Sequence, residues 1–285
     1  MYLITTSEQL ASLIPNTTVT VTGETPLLTK LTPFLESSEL WLSDTFLSAA
    51  ILADIATRPD TDTLRTLTEQ ALAYDAFHHA IPHLDIILTP NGFGIVSNSN
   101  VAPASKERIE RLMSSLLFNR DRILMQLMHL IPSLPGWTES EQGRFFSATM
   151  FPNMDITLHF NLDTESRWEK YLALRQDAIS IEHFLGTQYI SRELLEVLRW
   201  EVQASQYRTP SHKTLCRVLR SIELRCLQSP TPMQAIHKEH GALFSLVNTI
   251  IESPTDFPEW QNSTTAQLYS PPVFENKKSS NGFWF

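Results

Sequence analysis

The sequence predicts a mainly α fold of two tandem, related helical modules, with a β-hairpin inserted in the first. Three observations carry this expectation. Apolar residues recur at helical spacing along most of the chain, most regularly at Ile109, Leu112, Met113, Leu116, Leu117, Ile123, Leu124, Leu127, Met128 and Ile131. Glycine is scarce, 8 in 285 residues, against an average of about 7%. The third is that the second half of the sequence repeats the pattern of the first.

In chain order, a short helix begins in "TTSEQLASLI", where Thr5 and Glu8 have the spacing of a capping box. "TVTVTG" (18–23) alternates and is β-branched, so it reads as a short strand. "LLTKLTPFLESSELWL" (27–42) places Leu28, Leu31, Leu35 and Leu42 at helical spacing, with a kink expected at Pro33. A helix follows in "FLSAAILADIAT", then a loop at 58–62, then a helix over 63–81 ended by Pro82. Next, "LDIILT" and "FGIVS" flank Pro90, Asn91 and Gly92. Asn and Gly tolerate the positive φ of a tight reversal, so 84–97 reads as a hairpin. Ser105 then caps a long helix over 106–131, about 39 Å of rise, in which only the charged Arg120 interrupts the apolar stripe.

The repetition runs in three blocks. "WTESEQGRFFSATMFPN" (137–153) aligns with "WQNSTTAQLYSPPVFEN" (260–276), pairing Trp137 with Trp260, Ser140 with Ser263 and Phe146 with Tyr269. "WLSDTFLSAAILADI" (41–55) aligns with "FLGTQYISRELLEVL" (184–198), pairing Phe46 with Tyr189 and Ser48 with Ser191. The long helix aligns with 233–251, pairing Met113 with Met233, Ile123 with Leu243 and Ile131 with Ile251. The sequence spacing shortens where the first copy has its hairpin and the second has only "QSPTP" (228–232). The hairpin is therefore an addition to a module that folds without it, and additions of this kind usually serve contact. The expected modules are 1–153, containing the hairpin, and 154–285, ending in an aromatic tail.

Composition limits the function. At 42% hydrophobic and 19% charged the chain reads as a globular protein, and a net charge of −9 disfavours a general nucleic-acid binder. No apolar run reaches membrane-span length; "LSAAILADIA" (47–56) is too short. The opening "MYLITTSEQL" lacks the features of a secretion signal. Cys216 and Cys226 are ten residues apart on one expected helix, about 15 Å, and read as reduced buried thiols of the cytosol.

Phosphate-loop, dinucleotide, nucleophile-elbow and zincin motifs are lacking in the sequence. His78, His79, His83 and Asp85 cluster in "AFHHAIPHLD", where His79 and His83 have the i, i+4 spacing of a metal pair, but Pro82 intervenes and no third ligand is suitably spaced. His237 and His240 around Glu239 fall one residue short of H-x-x-E-H. Asp44, Asp54 and Glu110 show no pairing in the sequence. No catalytic, cofactor-binding or metal residue is therefore assigned, and no cofactor is expected. The aromatic residues Phe145, Phe146 and Phe151, the tail Phe283, Trp284 and Phe285, and the hairpin tip Pro90, Asn91, Gly92 and Phe93 are the expected contact residues.

Three stretches of the first copy, "LITTSEQLASLIP", "LLTKLTPFLESSELWL" and "LRTLTEQALAYDAFHHAI", resemble the small helical head–tail connector (adaptor) proteins of tailed bacteriophages. "IPHLDIILTPNGFGIVSNSNVAPASKERIERL" (81–112) is similar to an uncharacterised family encoded in phages and prophages of gut bacteria. Connectors of this type are single modules, whereas this chain carries two. The resemblance implies a non-enzymatic virion protein at the head–tail junction, present in the host cytoplasm during assembly. It would form a homo-oligomeric ring, dodecameric or with half as many doubled chains. Its partners would be the portal protein and downstream tail proteins, with DNA passing unbound through the lumen and no membrane contact. The alternatives are another tail or baseplate component, a monomeric scaffold for host proteins, or a helical metal-dependent enzyme using the histidines above.

Overall fold

The structure, a computed structural model, describes residues 3–14, 25–84, 86–89, 92–95, 105–162 and 165–270. It divides into two compact units, Met1–Gln176 and Asp177–Phe285. The division lies beyond the expected 153/154 because residues after 153 complete the first unit's core. Trp168 and Tyr171 lie within 6.1 and 6.2 Å of the Phe146 ring, and Trp168 within 5.6 Å of Phe46.

The first unit is built from α1 (Ser7–Leu13), α2 (Leu27–Leu42), α3 (Ala49–Thr57), α4 (Thr63–Leu84), α5 (Lys106–Leu130) and α6 (Glu141–Ser147). The start of α7 (Arg167–Gln188) also belongs to it. The capping box of α1 sits one residue later than the sequence suggested. Thr6 Oγ1 accepts from the Gln9 N–H at 3.2 Å, and Gln9 Oε1 accepts from the Thr6 N–H at 3.1 Å. Helix α2 continues through Pro33, and α4 continues through Pro82 to Leu84. A proline in a last turn forfeits little of the hydrogen-bond ladder, so Pro82 does not end the helix. Ala71, Ala76 and Ala80 have no exposed surface, and their small side chains let α4 lie close against its neighbours α2 and α5.

The expected β component is corrected. The packed architecture is helical, and among the described residues extended pairing is confined to four residues on each side, β1 (Ile86–Thr89) antiparallel to β2 (Gly92–Ile95). A two-stranded ribbon this short is marginal on its own in water, and no third strand joins it among the described residues. It is not an inserted β module, and the fold class is mainly α. Pro90 and Asn91 lie outside the described residues, as do the expected strand at 18–23 and the tail residues Phe283, Trp284 and Phe285. Gly92 and Phe93 belong to β2.

The second unit contains the rest of α7, α8 (Arg192–Ala204), α9 (Pro210–Leu227), α10 (Pro232–Lys238), α11 (His240–Glu252), α12 (Pro258–Gln261) and α13 (Thr264–Gln267). Leu194, Leu195, Leu198 and Val202 of α8 are buried, as are Leu215, Leu219, Ile222 and Cys226 of α9. Both thiols are free and buried. Burial, then nearby carboxylates, pushes Cys216 up to about 12 and Cys226 up to about 11. Among the described residues no single helix is long and apolar enough to cross a membrane.

The two copies share unusual local geometry at matched positions. Ser48 (φ 76°, ψ 147°) and Ser191 (φ 69°, ψ 151°) adopt a backbone conformation that non-glycine residues rarely enter. Each caps the helix that follows: Ser48 Oγ accepts from Ile51 N–H at 3.4 Å, Ser191 Oγ from Leu194 N–H at 3.2 Å. Ser140 Oγ donates to the Trp137 carbonyl at 2.6 Å, and Ser263 Oγ donates to the Trp260 carbonyl at 2.7 Å. Gln142 Nε2 donates to the Ser43 carbonyl, and its counterpart Thr265 Oγ1 donates to the Gly186 carbonyl. The ring pairs correspond in spacing, Trp137 stacked on Phe146 at 5.9 Å and Trp260 tilted against Tyr269 at 6.1 Å.

The strained serines yield opposite results for two substitutions. Ser191→Gly relieves the backbone while losing only a few tenths of a kcal/mol of capping, and stabilises the second unit by about 0.5–1 kcal/mol. Ser191→Ala keeps the strain and loses the cap, costing about 1–2 kcal/mol. Urea unfolding of the two variants measures both; equal shifts in the same direction would contradict this account.

Candidate functional site

Helical spacing assembles a polar cleft in the first unit. Phe34, Ser37, Ser38 and Trp41 fall on one face of α2, at the i, i+3, i+4 and i+7 positions. Asp75, His79 and His83 line up along α4 at intervals of four. Arg120 of α5 and Trp168 and Glu169 of α7 complete a cleft of about 510 Å³.

An ion network forms its floor. Arg120 Nη1 donates to Asp75 Oδ1 at 2.8 Å, and Arg120 Nη2 donates to Asp121 Oδ1 at 2.8 Å and Ser166 Oγ at 3.1 Å. Arg120 Nε also donates to Asp121, at 3.0 Å. Ser38 Oγ donates to Asp75 Oδ2 at 2.7 Å, and Ser166 Oγ and the Trp168 N–H donate to Asp121 Oδ2 at 2.8 and 3.2 Å. Ser38, Asp75, Arg120, Asp121 and Ser166 are all buried. Burial works against the Arg120 charge, but Asp121 and Asp75 outweigh it, so the guanidinium holds its proton more firmly than usual.

Aromatic groups form the walls. The Trp41 and Trp168 rings meet edge to face at 5.9 Å, and the Arg120 guanidinium lies 5.5 Å from the Trp41 ring. Phe34 packs on His83 at 5.3 Å. His79 Nδ1 donates to the Asp75 carbonyl at 2.9 Å, and His78 Nδ1 to the Met113 carbonyl at 3.2 Å. Burial lowers the His78 pKa, with the Met113 carbonyl opposing.

The second copy differs at these places. Carrying the 143-residue offset of the 41–55 block along α2 and α4 sets Ile181 against Ser38, Val218 against Asp75, Ile222 against His79 and Cys226 against His83. The 120-residue offset of the long helix sets His240 against Arg120. Ile181, Ile222 and Cys226 are buried in that unit's core. These positions carry apolar or thiol side chains or histidine there, and the buried charges of the second unit stand elsewhere, as in the pair Arg199 Nε to Glu182 Oε2 at 2.7 Å. Apolar replacement of buried ion pairs is often neutral or stabilising, which makes the retained charges candidates for a role in recognition.

The network is not arranged for nucleophilic catalysis, because the Ser38 hydroxyl donates to a carboxylate that is itself bound to arginine. Among the described residues no group of three or more His, Cys, Asp or Glu side chains is placed to hold a metal ion. His78, His79 and His83 take the contacts above, while His237 packs on Phe184 and His240 pairs through Nδ1 with the Tyr189 hydroxyl at 2.8 Å.

Two expected contact residues are corrected. Phe146 and Phe151 are core residues, 2% and 5% exposed. Phe146 stacks between Trp137 and Tyr171, and the Phe151 carbonyl accepts from the Tyr171 hydroxyl at 3.0 Å. Phe145 remains partly exposed, its ring 4.0 Å from the Arg175 guanidinium. Reading the sequence for motifs passed over Ser38, Trp41, Asp75 and Asp121. The one signal available was Arg120 at a core position of an apolar stripe, since a charge there demands buried partners.

No curated protein and no solved structure matches the chain. Residues 19–147, the first copy with its cleft-forming helices α2, α4 and most of the network, match a family of unknown function, DUF6712.

Proposed function

We propose that the chain is a non-enzymatic structural subunit of a tailed-phage particle, assembling as a head–tail connector ring between the portal and the next tail protein. The resemblance of the first copy's opening helices to connector proteins supports this reading. The observation that carries it is the uncovered stripe of α5. Its apolar residues are patterned for burial from Ile109 onward, yet burial begins only at Leu116 and Leu112 is 45% exposed, while Phe118, on another face of the same helix, is 60% exposed. An amphipathic stripe left open in one chain is material for contact with another. The net charge of −9 suits a lumen that conducts DNA without gripping it.

The full chain, purified and examined by native mass measurement and negative-stain imaging, is expected to form closed rings. Leu112→Ser with Phe118→Ser is expected to shift the population toward single chains while each retains its helical content. A wild-type chain that stays monomeric at high micromolar concentration would remove the proposal.

A further inference from the structure

We infer that the cleft bounded by Phe34, Trp41, Trp168 and Glu169 receives an arginine side chain presented by another protein surface. The inference concerns the cleft alone and does not depend on the ring.

The charge balance decides the sign of the ligand. Asp75 and Asp121 are both held in the floor by the single guanidinium of Arg120, and Glu169 stands exposed on the cleft's rim. Asp121 lies behind the lining, so the carboxylates that line the cleft are Asp75 and Glu169, two against the one guanidinium, with the His79 and His83 imidazoles beside them. An anion would have to displace Arg120 from Asp75, Asp121 and Ser166, all at hydrogen-bond distance. Asp75, in contrast, accepts one hydrogen bond at each oxygen, from Arg120 at Oδ1 and Ser38 at Oδ2, with His79 Nδ1 a further 3.5 Å from Oδ2. A carboxylate oxygen has two acceptor sites, so each can take a further donor.

The walls favour a flat cation. Trp41 already carries one guanidinium 5.5 Å from its ring, and Trp168 and Phe34 present further aromatic surface to the same space. Aromatic rings attract guanidinium by stacking as well as charge, and its planar donors match a carboxylate two at a time, which an ammonium cannot do. A volume of about 510 Å³ admits such a side chain. The twin unit has Ile181, Val218 and Ile222 at the positions of Ser38, Asp75 and His79, so it lacks the acid and hydroxyl at these places. The Ser38–Asp75 pair is thus a feature of one copy rather than of the fold.

The test is fluorescence anisotropy of labelled Gly–Gly–Arg–Gly–Gly, with lysine and citrulline counterparts, titrated with the full chain. The arginine peptide is expected to bind about tenfold more tightly than the lysine peptide and more tightly still than the neutral citrulline peptide. Glu169→Gln and Trp41→Leu are each expected to weaken the arginine peptide by about tenfold. Glu139→Gln, an exposed acid outside the cleft, leaves it unchanged. Because Glu169 is exposed, its variant is read without concern for folding; Trp41→Leu is checked by its melting curve. Absence of binding at millimolar protein, equal binding of citrulline or lysine, or indifference to Glu169→Gln would each overturn the inference.

Discussion

Arg120→Ala lowers the stability of the first unit by about 3–5 kcal/mol, the cost of stranding buried charge. The substitution leaves Asp75 and Asp121, 3% and 1% exposed, without the cation that binds both. Ser38, Ser166 and the Trp168 N–H still donate to them, but three neutral donors do not balance two buried negative charges. Arg120→Lys does not repair the loss, because one ammonium cannot reproduce donation from Nε, Nη1 and Nη2 to Asp121, Asp75 and Ser166. Introducing the twin's residues, Ser38→Ile with Asp75→Val, into the Arg120→Ala background removes one stranded carboxylate and restores part of the stability. Urea unfolding gives the free energies, and hydrogen exchange over residues 63–84 and 106–130 assigns them to this unit. A loss under about 1 kcal/mol would mean that water reaches the network and that it behaves as a surface pair.

The same cluster shows how far the sequence could be read. The periodicity of 106–131 placed α5 to within a residue at its C-terminal end, because an amphipathic stripe writes its period into the sequence. Its burial was less legible: Ile109, Leu112 and Met113 have the pattern of core residues, but whether a stripe is covered depends on what else reaches it. Repetition was legible through Trp137 with Trp260 and Ser48 with Ser191, and these pairs carry the matched geometry. Ser48 and Ser191 look like ordinary serines in the sequence; their positive φ is imposed by the turn between two packed helices. The ribbon at 86–89 and 92–95 has the alternation and turn residues of a hairpin, signals that say nothing of whether further strands will extend it. Phe146 and Phe151 were misjudged because a short helix and an irregular segment leave no period from which to read burial. The cleft was least legible of all. Its members come from α2, α4, α5 and α7, and no short motif can record four helices meeting.

Glu223→Gln stabilises the second unit, and the gain grows with pH. Glu223 is fully buried on α9, and neither carboxylate oxygen has a hydrogen-bond partner. Burial, reinforced by the Glu182 charge on α7, raises its pKa well above the ordinary 4.5; Arg199 on α8 and Arg220 on α9 only partly oppose this. The free thiols Cys216 and Cys226 lie close enough on the same helix to feel its charge. Between the unfolded and the folded pKa, the native chain holds a proton that the unfolded chain has released, so raising the pH favours unfolding. The contribution is intact below about 4.5 and is lost as the pH climbs through the folded pKa. Glutamine keeps the shape without the titration, so the difference between variant and wild type widens by up to about 1.4 kcal/mol per pH unit across that window. In the first copy the matched residue is Ala80, so the effect belongs to the second unit alone. Denaturant unfolding at a series of pH values, with hydrogen exchange over 210–227, measures it. Parallel stability curves for the two proteins would show that Glu223 is solvated or paired in the native chain, and the buried acid would then have no bearing on its pH response.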